Sequence, residues 1–190
     1  MGHFGGEAME SSRPVFLKGF VKVAMTTELR GRMEAESAWA RNLGLDEADE
    51  LLQLTEYMYP YRGEKGATVF REGDSESFMC LICEGQLQIA RSDCSTSLSV
   101  AGPGNTVGEM ALIDGNPRSA SALALTEVLL YVMTRSNFFR LAEDHPRTWG
   151  KLLFKIACLM SNRLRLTNQA LAEHLAPVSH PEKKWAPTKI

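Results

Sequence analysis

The apolar positions of this chain change period near Tyr57. Before it, helical residues gather from about Glu34 to Ala40 and Asn42-Leu43-Gly44-Leu45 interrupts them. Asp46 with Asp49 or Glu50 then opens a second helix carrying Leu51, Leu52 and Leu54. After Tyr57 short apolar runs recur at 57–62, 67–71, 77–83, 86–91, 96–101, 105–107, 120–125 and 127–133. Turn chemistry separates them: Gly63 to Gly66, Glu72-Gly73-Asp74, Glu84-Gly85, Ser92-Asp93 and Gly102-Pro103-Gly104. Many short strands at this spacing predict a sandwich or barrel, and eight is the count of a β-roll or jelly roll. Leu87, Ile89 and Arg91 alternate with Gln86, Gln88 and Ala90, the pattern of a half-buried strand. Glu84-Gly85 between two runs predicts a tight hairpin.

Beyond Thr134 the helical period returns. Ser136 is the expected cap of a helix over Asn137–Glu143, and Pro146 opens a longer one to about Leu175. The long helix carries two adjacent stripes, Leu152, Ile156, Leu159, Leu166 and Leu153, Met160, Leu164, Leu171, Leu175. Two stripes imply two clients, the domain's own barrel and a partner's copy of the same helix. Arg163 lies on the first stripe and reads as a snorkelling side chain. Thr167-Asn168 interrupts the second with hydrogen-bonding groups, which a polar break in a packed seam would also explain.

The ends carry less pattern. Glycines 2, 5 and 6 with Ser11-Ser12-Arg13-Pro14 read as a flexible lead-in. Val15 to Val23 is apolar and short, with Lys18 and Lys22 at helical spacing; it is expected to fold back on the domain rather than to touch a membrane. The three prolines after Ala176 and the lack of periodicity predict disorder or a linker over 177–190.

Composition removes several classes of function. With 190 residues, 44% hydrophobic and 23% charged, the chain fits one soluble domain with extensions. A formal net charge of -2 leaves no electrostatic footprint for nucleic acid. No apolar run approaches the roughly 20 residues of a membrane span, and the N-terminus lacks the pattern of a secretory signal. The expected compartment is the cytosol. Cys80-Leu81-Ile82-Cys83 has redox or metal spacing, yet in a strand the two thiols point to opposite faces. No second such pair follows, and His3, His145, His174 and His180 offer no ligand spacing, so Cys80, Cys83, Cys94 and Cys158 are expected to be free thiols and no metal is expected.

The richest chemistry lies at 107–122. Gly108 suits a close backbone approach, and Glu109 to Ile113 can form one or two helical turns whose first N–H groups can seat an anion. Asp114-Gly115-Asn116-Pro117 stops that helix. The Arg118 fork can pair with a phosphate in bidentate fashion, Ser119 adds a hydroxyl, and Glu109 can accept hydrogen bonds from a sugar. Taken singly these residues would describe a surface turn with a solvated ion pair. Together they read as a nucleotide site.

The order Gly108-Glu109-Met110-Ala111-Leu112, a loop, then Pro117-Arg118-Ser119-Ala120-Ser121 resembles the phosphate-binding cassette of the cyclic nucleotide-binding domain family. The resemblance covers roughly residues 47–175. It implies a mainly β fold with flanking helices: an eight-stranded antiparallel, jelly-roll-like β-roll over 57–134, with the cassette between its sixth and seventh strands, and a long C-terminal helix. The domain is then expected over 37–176, with helices 136–144 and 147–175, after an extension 1–36 that is partly helical or flexible. The resemblance further implies that Arg118 pairs with the cyclic phosphate, aided by the N–H groups of Met110 and Ala111 and the Ser119 hydroxyl, while Glu109 and the Gly108 backbone hold the ribose 2′-OH.

In the family the long helix covers the purine. Met160-x-x-Arg163-Leu164-x-Leu166-Thr167 is similar to that stretch in catabolite activator-type regulators, with Thr167 matching and Asn168 standing for a serine. Serine after the cassette arginine accompanies cyclic AMP in bacterial members, so Ser119 leans to cyclic AMP with cyclic GMP as the alternative. About 15 residues follow the helix, fewer than the helix-turn-helix domain of those regulators needs. The expectation is a stand-alone, non-enzymatic sensor that binds cyclic AMP, forms a homodimer through helix 147–175 and signals to a protein effector, without DNA or a membrane. The alternatives are a degenerate dimerising or scaffold module that binds no nucleotide and, remotely, a metal-dependent cupin-type enzyme. The last needs convergent His ligands, and no histidine falls between residues 4 and 144.

Overall fold

A computed structural model describes residues 17, 19–29, 31, 48–91 and 97–175. The contacts divide the chain at Leu153 into two units. The first holds β1 (Phe20–Lys22), α1 (Ala48–Glu56), β2 (Tyr59–Gly63), β3 (Thr68–Phe70), β4 (Phe78–Glu84), β5 (Leu87–Ala90), β6 (Ser97–Ala101), β7 (Thr106–Val107), α2 (Glu109–Asp114), β8 (Ser121–Ala124), β9 (Val128–Thr134) and α3 (Arg135–Asp144). It also holds the start of α4 (Pro146–Leu175), whose remainder from Phe154 belongs to the second unit.

The strands form two antiparallel sheets, β1-β2-β9-β4-β7 and β3-β8-β5-β6. Each of the eight apolar runs after Tyr57 contributes a strand, and Phe20–Lys22 adds one more by pairing with β2. That part of the Val15–Val23 stretch therefore folds back on the sheet as a strand, not at the helical spacing of its lysines; Val15, Phe16 and Lys18 lie outside the described residues. The core between the sheets takes alternate residues of β9, Val128, Leu130 and Val132, with Phe70, Phe78, Cys80, Ile82, Leu87 and Val107. The other residues of β9, Leu129, Tyr131 and Met133, are buried as well, on the face where α3 packs. Burial on both faces explains why β4 and β9 read as unbroken apolar runs.

Two local expectations need correction. Glu84-Gly85 does not turn a hairpin, because β4 and β5 belong to different sheets. Gly85 carries the crossing at φ 78, where a Cβ would come within 2.1 Å of the Glu127 carbonyl. Sequence spacing shows a sharp turn, but partner choice is a tertiary matter. The second correction is the cap of α3, which is Thr134 rather than Ser136. Its extended backbone lets the hydroxyl accept from the Asn137 N–H at 3.3 Å, and Ser136 sits one residue inside the helix. Glu50 lies in the first turn of α1 as expected, and it is also buried there, bound to Lys151 at 2.6 Å and Arg147 at 3.4 Å. Together with Thr148 donating to Gln53 at 2.7 Å, the pair sets α1 against the first turns of α4. Desolvation offsets much of the Coulomb attraction in such a buried pair, so it adds little net stability.

Cys80 and Cys83 are buried free thiols, and Cys158 is free as well; Cys94 lies outside the described residues. Burial pushes the Cys80 thiol up to about 12, so it stays protonated near neutral pH. The segment about Glu34 to Ala40, the expected cap Asp46 and the tail 177–190 also fall outside the described residues.

Candidate functional site

The candidate site is built where the chain leaves one sheet and enters the other. β7 ends at Val107, and Gly108 takes φ 84, a left-handed value that costs glycine little. The six residues of α2 follow, closed by Gly115 at φ 71 with its N–H donating to the Ala111 carbonyl at 3.0 Å. After the breaker run, Arg118 pairs its backbone with the loop at 73–74: its N–H donates to the Asp74 carbonyl and its carbonyl accepts from Gly73, both at 2.9 Å. That pairing sends the Arg118 side chain inward.

The side chain is 4% exposed. Its Nη1 donates to the Gly108 carbonyl at 3.0 Å, and the guanidinium carbon lies 4.2 Å from the ring centroids of both Phe70 and Phe78. Nε and Nη2, which share one edge of the fork, are buried and have no hydrogen-bond partner among the described residues. Burial lowers the pKa of this guanidinium, with Cys80, Asp74, Glu76 and Glu109 pulling the other way. A buried cation with two open donors is costly in a folded protein unless an anion completes it. The arrangement can receive an oxyanion through two parallel N–H···O bonds.

Glu109 is buried on the first turn of α2, where the Thr106 hydroxyl donates to its carboxylate. Ala111 is buried, whereas Met110 and Ser119 are exposed, and the Ser119 hydroxyl donates to the Met110 thioether at 3.8 Å. Gly108, Glu109, Met110, Ala111, Arg118 and Ser119 thus come together in the first unit. Thr167 and Asn168 lie exposed on α4 in the second unit. Phe70, Phe78 and Thr106 escaped the sequence reading, because a phenylalanine or threonine within an apolar run looks like ordinary core. Among the described residues no group of three or more His, Cys, Asp or Glu could hold a metal ion.

Residues 62–145 match the cyclic nucleotide-binding domain family. The chain belongs to that family. A domain of this family from Methylobacillus flagellatus shares the fold, with a TM-score of 0.73 at 22% identity over 85% of this chain and 93% of that one. The CRP-like cAMP-activated global transcriptional regulator of Mycobacterium tuberculosis is 32% identical over 130 residues, 67% of this chain and 56% of the regulator. The chain thus spans about half the length of that relative. A cGMP-dependent protein kinase of Caenorhabditis briggsae is 33% identical over 90 residues, 47% of this chain and 12% of the kinase.

Proposed function

We propose that this domain binds a 3′,5′-cyclic nucleotide, cyclic AMP ahead of cyclic GMP, and passes occupancy on through its C-terminal helices. The observation that carries the reading is the open Nε–Nη2 edge of Arg118, buried beside a helix start. A cyclic phosphate has one negative charge and two exocyclic oxygens, which matches two donors on one edge. In this reading the N–H groups of Met110 and Ala111 and the Ser119 hydroxyl add bonds to the phosphate, and Glu109 with the Gly108 backbone holds the ribose 2′-OH. The domain takes in residues 37–176 and works by holding its ligand, not transforming it. The free thiols of Cys80, Cys83 and Cys158 support a reducing, cytoplasmic setting. Titration calorimetry with both nucleotides tests the reading, and the absence of binding to both would overturn it.

A physical link supports the relay. Arg135, the first residue of α3, donates from Nε to the Leu112 carbonyl at the end of α2 at 3.2 Å. Its guanidinium also lies over Phe139 at 4.9 Å, so a shift of the cassette helix pulls on α3. Ligand and effector then act on one conformational equilibrium. For the output surface we propose a homodimer through α4, on which Leu164 and Leu166 are 61% and 66% exposed. Light scattering should report a dimer for the parent and a monomer for Leu164→Glu/Leu166→Glu. A parent that stays monomeric at high concentration removes this part.

Base choice is assigned to Thr167 and Asn168, whose groups both donate and accept. Thr167→Ala should weaken cyclic AMP more than cyclic GMP, by about 1–3 kcal/mol at most. Competition binding checks it, and equal losses for the two nucleotides would show that Thr167 only packs the helix.

A further inference from the structure

Phe70 and Phe78 both belong to the core between the sheets, and burial alone would account for two phenylalanines there. It does not account for what lies between them. Their rings meet at 75° with centroids 5.8 Å apart, and the Arg118 guanidinium carbon sits 4.2 Å from each centroid, inside that angle. The third side is the Gly108 backbone, whose carbonyl holds Nη1. A Cβ there would approach Nη1 to 2.5 Å, so no larger residue fits beside the cation. The fork is confined on three sides, and its Nε–Nη2 edge, on the fourth, is buried without a hydrogen-bond partner among the described residues.

A carboxylate in place of the rings would neutralise the cation permanently and compete with any incoming anion. Ring faces attract a guanidinium through their quadrupole and accept none of its in-plane N–H bonds. They also exclude water, which strengthens a charge-assisted bond made on the open edge. We infer that Phe70 and Phe78 are positioning residues for the phosphate ligand: their faces hold the Arg118 guanidinium in one plane and leave its Nε–Nη2 edge unpaired, to be completed by a singly charged phosphodiester. This rests on the cyclic nucleotide reading and adds to it what sets the strength and handedness of the phosphate contact.

The handedness gives a readout that loss of stability alone would not move. Replacing one or the other exocyclic oxygen of cyclic AMP by sulfur gives two phosphorothioate diastereomers. A fork fixed in one plane meets them unequally; a fork free to rotate meets them more nearly alike. Phe70→Leu and Phe78→Leu keep the apolar character and remove the face. Each should weaken cyclic AMP by roughly fivefold to thirtyfold, the range of a desolvated cation–π contact, and bring the affinity ratio of the diastereomers towards one. Phe70→Tyr keeps the face and should keep the parent ratio. Leu130→Ala, in the same core and away from Arg118, should lower thermal stability and leave the ratio unchanged. If either folded leucine variant binds cyclic AMP as the parent does, with the parent ratio, the inference is overturned while the nucleotide site stands. If the parent binds neither cyclic nucleotide, the reading beneath it falls too, and the two failures are thereby distinguished.

Discussion

Arg118→Ala should abolish tight cyclic nucleotide binding and leave the fold standing. Two donors are lost from a pocket otherwise walled by phenyl rings and a backbone carbonyl. The ligand's single negative charge then has no guanidinium to meet. Truncating one side of a desolvated charge pair costs about 2–5 kcal/mol, so affinity falls by well over tenfold. Stability behaves differently. Without ligand, the parent carries a buried cation compensated by one hydrogen bond, to the Gly108 carbonyl, by two ring faces and by the nearby carboxylates of Asp74, Glu76 and Glu109. Removing that cation relieves desolvation while opening a small cavity, and the two effects oppose each other. The melting temperature of the free protein should therefore change little, and its rise on adding cyclic AMP should disappear. Calorimetry and thermal melts on parent and variant read both quantities. Unchanged affinity in the alanine variant would place the phosphate elsewhere.

Gly108→Ala should damage binding and stability together. The residue sits at φ 84, which costs a side chain roughly 1–2 kcal/mol by itself. A Cβ would also press on Arg118 Nη1 at 2.5 Å and on the Phe78 carbonyl at 2.8 Å. Arg118 can yield only by leaving the Gly108 carbonyl, which releases the fork from its seat. Gly66→Ala is the matched control, since Gly66 has φ 86 and nothing within 4 Å of its added Cβ. Both variants should lose a few degrees of melting temperature from backbone strain, at roughly 2–4 °C per kcal/mol for a protein of this size. Cyclic AMP affinity should fall tenfold or more in Gly108→Ala alone. Equal binding losses in the two variants would mean that the close approach at Gly108 plays no part in the site.

Much of the cassette could be read from the chain because its parts are consecutive. A helix start, a stop and an arginine within a dozen residues put Gly108, Glu109 and Arg118 in one short stretch, and the pairing of Arg118 with Gly73 and Asp74 then turned its side chain to the Gly108 carbonyl. The strands were legible for a similar reason, since turn residues and apolar runs are local signals. Eight runs became eight strands of the two sheets.

What the chain could not state was which elements face each other. Glu84-Gly85 has the chemistry of a hairpin, but β4 pairs with β7 and β9 while β5 pairs with β6 and β8. Glu50 reads as a helix-start acid and is one, but its burial against Lys151 and Arg147, about a hundred residues away, leaves no local signal. Phe70 and Phe78 look like core in any strand, and their second task exists only because Arg118 reaches between them from the far side of the cassette. The sequence by itself therefore determined the local elements and the order of turn, short helix and arginine over 108–119, because turns, short helices and caps depend on neighbours along the chain. The tertiary structure alone decided the strand partners, the buried charges and the rings around Arg118, because those depend on contacts between residues far apart in the chain.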